Sequence, residues 1–156
     1  MKLNVYSKKE FDSIMSQYKD LPDNMAVISI CNTENDEHFF KYDSSNILNV
    51  EFDDVSEEEQ GCISVCTAEK IVNFIDDNIG KDFYIHCLAG VSRSQGIARY
   101  ILDMYPEFDY KTRKDNPCIT PNITVTAMLK RIKYNKYYDW KHINEREFEE
   151  NCIKIN

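Results

Sequence analysis

Apolar and polar positions along the chain switch repeatedly between two periods, and the switching outlines a sheet-and-helix succession. Leu3 to Tyr6 is a short strand. Ser7 follows as a helix cap, with Glu10 three residues on completing a capping box, and Phe11, Ile14, Met15 and Tyr18 recur at helical spacing until Pro22. Met25 to Cys31 is nearly all apolar and β-branched at its centre, the composition of a strand buried on both faces. Residues 32–45 form a polar loop expected to lie exposed. Ile47 to Phe52 predicts another strand, with Leu48, Val50 and Phe52 alternating against Asn49 and Glu51.

A helix over 65–79 follows from Ala68, Ile71, Val72, Ile75 and Ile79, with Gly80 placed to end it. The strand Phe83–His86 comes next, and a helix from Arg93 to Tyr105 carries Ile97, Ile101 and Met104 ahead of Pro106. Pro117 and Pro121 mark a loop before a helix bearing Val125, Met128, Leu129 and Ile132. A last helix is expected from Asn144, with Glu147 in its capping position. Strands alternating with helices imply an α/β domain whose mostly parallel sheet is flanked by helices on both faces. In such sheets ligands gather at the carboxyl ends of strands. The loops after Phe52 and after His86 both leave carboxyl ends, so they can meet across one crevice.

Composition narrows the function. The 156 residues fit one domain with a core of its own, and no repeat or low-complexity linker divides them. No stretch approaches the apolar length that spans a bilayer, and the first residues lack a signal peptide's apolar segment, so a cytoplasmic location and no membrane partner are expected. Six cysteines in such a chain are expected to stay reduced. Cys62 and Cys66 stand four apart, but no second ligand pair accompanies them, so they read as packed residues and no metal is implied. A net charge of −8 disfavours nucleic acid as the main partner. The basic and aromatic segment Lys130 to Lys141 is read as a solvated helix end, and His38 and His142 as surface residues.

The chemistry concentrates in His86-Cys87-Leu88-Ala89-Gly90-Val91-Ser92-Arg93-Ser94, set directly after the apolar Phe83-Tyr84-Ile85. A strand that breaks into a tight loop and then opens a helix turns successive backbone N–H groups into one concavity, which holds a tetrahedral oxyanion. Gly90 lets the backbone curl, and the planar fork of Arg93 can bind two oxygens at once. A cysteine at the base of that cup sits in a positive field that favours thiolate, the nucleophilic form.

This run resembles the signature loop of the cysteine-dependent protein tyrosine phosphatases, His-Cys-x-x-Gly-x-x-Arg-Ser/Thr. It is closest to the Ala-Gly-x-Ser-Arg-Ser version of the dual-specificity phosphatases. The resemblance implies that family's α/β fold and hydrolysis of a phosphorylated protein substrate through a phosphocysteine, without a cofactor. Cys87 is then the nucleophile. The N–H groups of Leu88, Ala89, Gly90, Val91, Ser92 and Arg93, with the Arg93 side chain, hold the phosphoryl oxygens. Ser94 hydrogen-bonds the sulfur and eases its departure. The acid comes from the Phe-Asp-Asp-Val run: Asp54 matches the family's Phe-x-Asp context, with Asp53 as the alternative, and whichever acts later serves as base. His86 either assists the thiolate or is structural. Ile119-Thr120-Pro121-Asn122 is similar to the Pro-Asn element whose asparagine braces the loop. Gln95-Gly96 departs from the family's small-residue-then-Thr stretch.

Other readings share the loop. A phosphoinositide phosphatase is expected to carry a lysine where Val91 stands, and an RNA 5′-triphosphatase is opposed by the chain's acidity. A pseudophosphatase, which binds phosphoproteins without turnover, typically lacks one of the three groups that Cys87, Arg93 and the aspartate supply. Oxidation of Cys87 and its capture by Cys31 is a further possibility that depends on their separation. No Lys-Asn-Arg-Tyr-type segment is present, so a shallow pocket is expected, open to phosphotyrosine and to phosphoserine or phosphothreonine. A monomer is the default.

Overall fold

In the computed structural model, which describes residues 1–34, 36–56, 59–110 and 120–136, five parallel strands form one sheet in the order β3-β2-β4-β1-β5. They are β1 (Lys2–Ser7), β2 (Met25–Cys31), β3 (Ile47–Glu51), β4 (Asp82–Cys87) and β5 (Asp109–Tyr110). Helices α1 (Lys8–Met15), α2 (Val65–Asp77) and α3 (Arg93–Met104) connect them, and residues 123–136 form a further helix, α4. The predicted α/β architecture is the one observed, and the sheet is parallel throughout. β5 is new: two residues after α3 pair with Lys2 and Leu3, too short a run to show a period of its own.

The alternation of side chains across the sheet sorts the core into two layers. One face buries Phe11 and Met15 of α1 against Met25 and Val27. The other face buries Ile28, Ile30, Val50, Phe83 and Ile85 against α2, α3 and α4, through Ile71, Ile97, Leu129 and their neighbours. β2 is buried at all seven positions, as a central strand covered by helices on both sides must be.

Local signals set the ends of several elements. Ser7 and Glu10 form the expected capping box. α1 ends at Met15, well short of Pro22, and Tyr18 lies outside it, because the turn after Ser16 redirects the chain before the proline. α2 stops at Asp77, where Asn78 caps it and bonds back to Phe74, before Ile79 is reached. Cys62 lies in the loop ahead of α2 and is half-buried, whereas Cys66 is exposed in its first turn, so the pair is not packed in the core as expected. The expected helix from Asn144, together with Pro117, His142 and the end of the basic segment, lies outside the described residues. Within that segment Lys130 pairs with Asp103 and Lys133 with Asp76, which ties α4 to α3 and α2.

Candidate active site

β4 is the third strand of the sheet, flanked by β2 and β1, and its last residue is Cys87. β3 lies at one edge, yet its chain continues through Phe52 toward the same end of the sheet. Parallel strands bring all their carboxyl ends to that end, so the Cys87 loop and the Asp53-Asp54 loop face one another.

Residues 88–92 curl between β4 and α3, with Gly90 at φ 68°, a conformation costly to a residue with a Cβ. The outward direction of the loop carbonyls is fixed by the protein around it. Leu88 O accepts from Lys8 N at 3.1 Å and Gly90 O from Gln95 Nε2 at 3.1 Å. Val91 O accepts from Thr120 N at 3.1 Å, and Ser92 O from Asn122 N at 3.0 Å and Gly96 N at 2.8 Å. In a trans peptide the N–H points opposite to the C=O, and the described residues contain no cis bond. The N–H groups of Ala89, Val91, Ser92 and Arg93 are therefore turned to the inner side, where α3 also presents its N-terminus. Ser92, the N-cap of α3, does not spend its hydroxyl on capping. The concavity matches what an oxyanion requires.

Cys87 is 2 % exposed, and its Sγ lies 3.0 Å from Ser94 Oγ. Arg93 is 4 % exposed and donates from Nη1 to the carbonyl of Phe52 at 2.8 Å. Its Nε is buried without a hydrogen-bond partner among the described residues. A buried guanidinium with an unsatisfied donor at the mouth of a ring of N–H groups is costly unless an anion completes it.

The two aspartates part company. Asp54 turns to the loop: its Oδ1 accepts from Ser92 Oγ at 2.7 Å and from Asn122 Nδ2 at 2.8 Å. Asp53 turns away and accepts from the backbone N–H and hydroxyl of Thr33, and these bonds hold its carboxyl below the usual range. It lines a separate open groove of about 810 Å³ with Asn32, Thr33 and Gly61. The structure thus brings Cys87, Arg93, Ser94, Asp54 and Asn122 together and sets Asp53 outside the group.

His86 is fully buried on the opposite face of the sheet from Cys87, its ring tilted against Phe11 with centroids 4.2 Å apart. Burial pushes its imidazole down to about 4, so the ring is neutral and supplies no cationic field to the thiolate; the bond from Nδ1 to Cys87 O, at 3.4 Å, leaves it a structural part. His38 is not a surface residue as expected: Nδ1 lies 2.7 Å from Ser29 Oγ, and 14 % of its side chain is exposed. The loop folds over β2 there because Phe39 and Phe40 pack on Phe11. Cys31 and Ser29 share that face, because side chains two apart on a strand point the same way, while Cys87 faces the other layer. The sheet therefore separates the Cys31 and Cys87 sulfurs, and capture of an oxidised Cys87 by Cys31 is ruled out in this fold.

Sequence reading passed over Ser29 and assigned no role to Gln95 and Gly96. Gln95 bonds Gly90 O and accepts from Tyr110 Oη at 2.6 Å, which anchors the loop to β5. A Cβ on Gly96 would stand 2.7 Å from Asn122 O and 3.0 Å from Val125 Cβ. Only glycine lets α4 approach closely enough for Asn122 to reach the loop. The signal was present as the Gln95-Gly96 departure from the family pattern, but nothing in the sequence said what packed there.

No family model and no curated protein matches the chain. Among solved structures it is similar to two of PTPMT1. One, "Crystal Structure of PTPMT1 in complex with PI(5)P", has a TM-score of 0.43 at 15 % identity, over 86 % of this chain and 94 % of that one. The other, "Crystal Structure of PTPMT1", has a TM-score of 0.44 at 18 % identity over 95 % of each chain.

Proposed function

We propose that the protein is a phosphatase that hydrolyses phosphate monoesters through a phosphocysteine on Cys87, with phosphotyrosine-bearing proteins as the favoured substrates. The observation that carries this reading is that Asp54, from a loop distant in sequence, is held 2.7 Å from Ser92 at the rim of the Cys87–Arg93 loop. A nucleophile, an anion cup and a carboxyl group converge on one site.

The reaction follows from their positions. The Cys87 thiolate attacks phosphorus, the bond from phosphorus to the ester oxygen breaks, and Asp54 passes its proton to that oxygen. The inward N–H groups and Arg93 hold the three equatorial oxygens as charge spreads over them. Water then attacks the phosphocysteine, giving its proton to the Asp54 carboxylate. The sulfur leaves as thiolate with the Ser94 hydroxyl, at 3.0 Å, donating to it. Inorganic phosphate is released.

The rim supports a protein substrate. Beside Asp54 lies an open cleft of about 410 Å³ lined by Ser56, Glu59, Ser92, Asn122 and Ile123, with no lysine or arginine on its wall among the described residues. Leu88 and Ile123 are 55 % and 80 % exposed at the mouth. Such a rim suits an amphipathic aryl phosphate on a peptide. Among the described residues it offers no cation for the further phosphates of an inositol headgroup or a 5′-triphosphate.

The test is phosphate release from phosphotyrosine and phosphoserine peptides, a phosphoinositide and a 5′-triphosphorylated RNA, with Cys87→Ser as control. Metal-independent, Cys87-dependent release favouring phosphotyrosine is expected. Release from the RNA or the lipid alone overturns the substrate assignment, and no release from any of them under reducing conditions overturns the enzyme.

A further inference from the structure

A chain of side-chain hydrogen bonds crosses the far face of the sheet and ends on the nucleophile's own backbone. His38 Nδ1 lies 2.7 Å from Ser29 Oγ, Ser29 Oγ 2.7 Å from His86 Nε2, and His86 Nδ1 3.4 Å from Cys87 O. The register places Ser29 directly opposite His86 across β2 and β4, so the central link is built into the strand pairing. Ser29 and His86 are both fully buried.

The direction of every proton in this chain can be worked out. A carbonyl oxygen has none to give, so His86 Nδ1 must carry the hydrogen of the bond to Cys87 O. Burial keeps the ring neutral, and a neutral imidazole has a single N–H. Nε2 is therefore a bare acceptor, and the Ser29 hydroxyl must donate to it. A hydroxyl has one proton, so Ser29 Oγ can only accept at its other contact, which requires His38 Nδ1–H as donor. Cys31, 3.4 Å from the same nitrogen, offers no competing anion: burial pushes its thiol up to about 11.

We propose that Ser29 and His38 are positioning residues: the Ser29 hydroxyl, held by His38, anchors the His86 ring at Nε2, so that its Nδ1–H orients the first peptide of the anion loop. The Cys87 carbonyl and the Leu88 N–H belong to the same trans peptide, so pulling the carbonyl toward His86 turns that N–H to the opposite side, toward the cup. Without the Ser29 hydroxyl, Nε2 is a buried acceptor with no donor. The ring then loses its anchor at that end and is free to tilt, which weakens the Nδ1–H bond to Cys87 O. The inference extends the proposed function, since a turned Leu88 N–H serves an anion at Cys87, but its test is independent of turnover.

The test uses the 156-residue chain and two readouts. Long-range proton–nitrogen correlations assign the tautomer of His86 and follow exchange of its Nδ1 proton with solvent, and mass spectrometry follows alkylation of Cys87 by iodoacetate, an anion that the cup attracts. Wild type is expected to show His86 as Nδ1–H. Ser29→Ala and His38→Phe are expected to speed exchange of the His86 Nδ1 proton and to slow Cys87 alkylation, each by roughly 10-fold. His38→Asn, which can keep an N–H donor near the Nδ1 position, is expected to restore both. The inference is overturned by an Nε2–H tautomer in wild type, or by Ser29→Ala leaving either the exchange of the Nδ1 proton or the alkylation rate unchanged. Wild-type turnover, measured separately, decides the proposed function without affecting this result.

Discussion

Asn122 and Asp54 are joined by a 2.8 Å hydrogen bond from the asparagine amide to the aspartate carboxylate, while the oxygen of the same amide accepts from Val125 N and caps α4. One side chain thus starts a helix and holds the candidate acid over the loop. The two roles separate by substitution. Asn122→Asp keeps an oxygen for the cap but sets a second carboxylate against Asp54, so stability is expected to hold while phosphatase rate falls. Asn122→Ala loses both, with about 1 kcal/mol of stability gone. Urea denaturation beside steady-state kinetics checks the pair; equal rates in both variants and wild type would sink the assignment.

Asp54→Asn should cost most where the leaving oxygen most needs a proton. For an alkyl phosphate the expected loss is ~10²- to 10⁴-fold in kcat, and for 4-nitrophenyl phosphate, whose anion leaves unaided, much less. Asp53→Asn should leave the rate ratio of the two substrates unchanged, because its carboxylate is engaged with Thr33. Comparing the two substrates across the two variants identifies the acid.

Ser94→Ala removes the only hydroxyl in bonding distance of the Cys87 sulfur among the described residues. Departure of the thiolate from phosphocysteine should slow by roughly 10- to 100-fold, the worth of a hydrogen bond to a charged group. A pre-steady-state burst of released alcohol, followed by slow turnover, is the signature. A variant that slows the burst itself, with no accumulation, would contradict the role.

Buried His86 makes the fold acid-sensitive. Its ring binds a proton at about pH 4 in the folded protein and near the ordinary histidine value of 6.5 in the unfolded chain. Between those values only the unfolded state is protonated. The stabilisation is complete above 6.5 and is lost as pH falls through this window, by on the order of 3 kcal/mol in all. Half-buried His38, also shifted down by burial, acts in the same direction. Urea unfolding between about pH 7 and pH 5 should show the decline, and His86→Gln should flatten it. An equal slope in both proteins would exclude the histidine as its cause.

Gly96→Ala tests the close approach of α3 and α4. The added methyl would meet Asn122 O at 2.7 Å. Helix propensity alone favours alanine, so a stabilised protein would mean that the contact relaxes easily. We expect destabilisation of about 1–3 kcal/mol and a weakened Asn122–Asp54 bond, read as lost activity beyond what the fraction unfolded explains.

What the order of residues determined was everything local. The capping box at Ser7 and Glu10 forms within four residues, and the apolar stripe of Ile97 and Ile101 needs only the helical period. The strand–loop–helix run from Phe83 to Ser94 likewise carries its own instructions, so Cys87, Arg93 and Ser94 could be named as candidates before any fold was known. The tertiary structure decided relations between segments far apart in the chain. Asp53 and Asp54 are adjacent and chemically identical, and only the packing of the 32–34 loop on one side and of Ser92 and Asn122 on the other sorts them. Ser29, His38 and His86 carry no common spacing and meet because β2 pairs with β4 in one register. Whether Cys31 could reach Cys87 was likewise settled by which face of the sheet each side chain takes. Hydrogen-bond direction, burial and strand register are properties of contacts, and those contacts exist only once the chain has closed on itself.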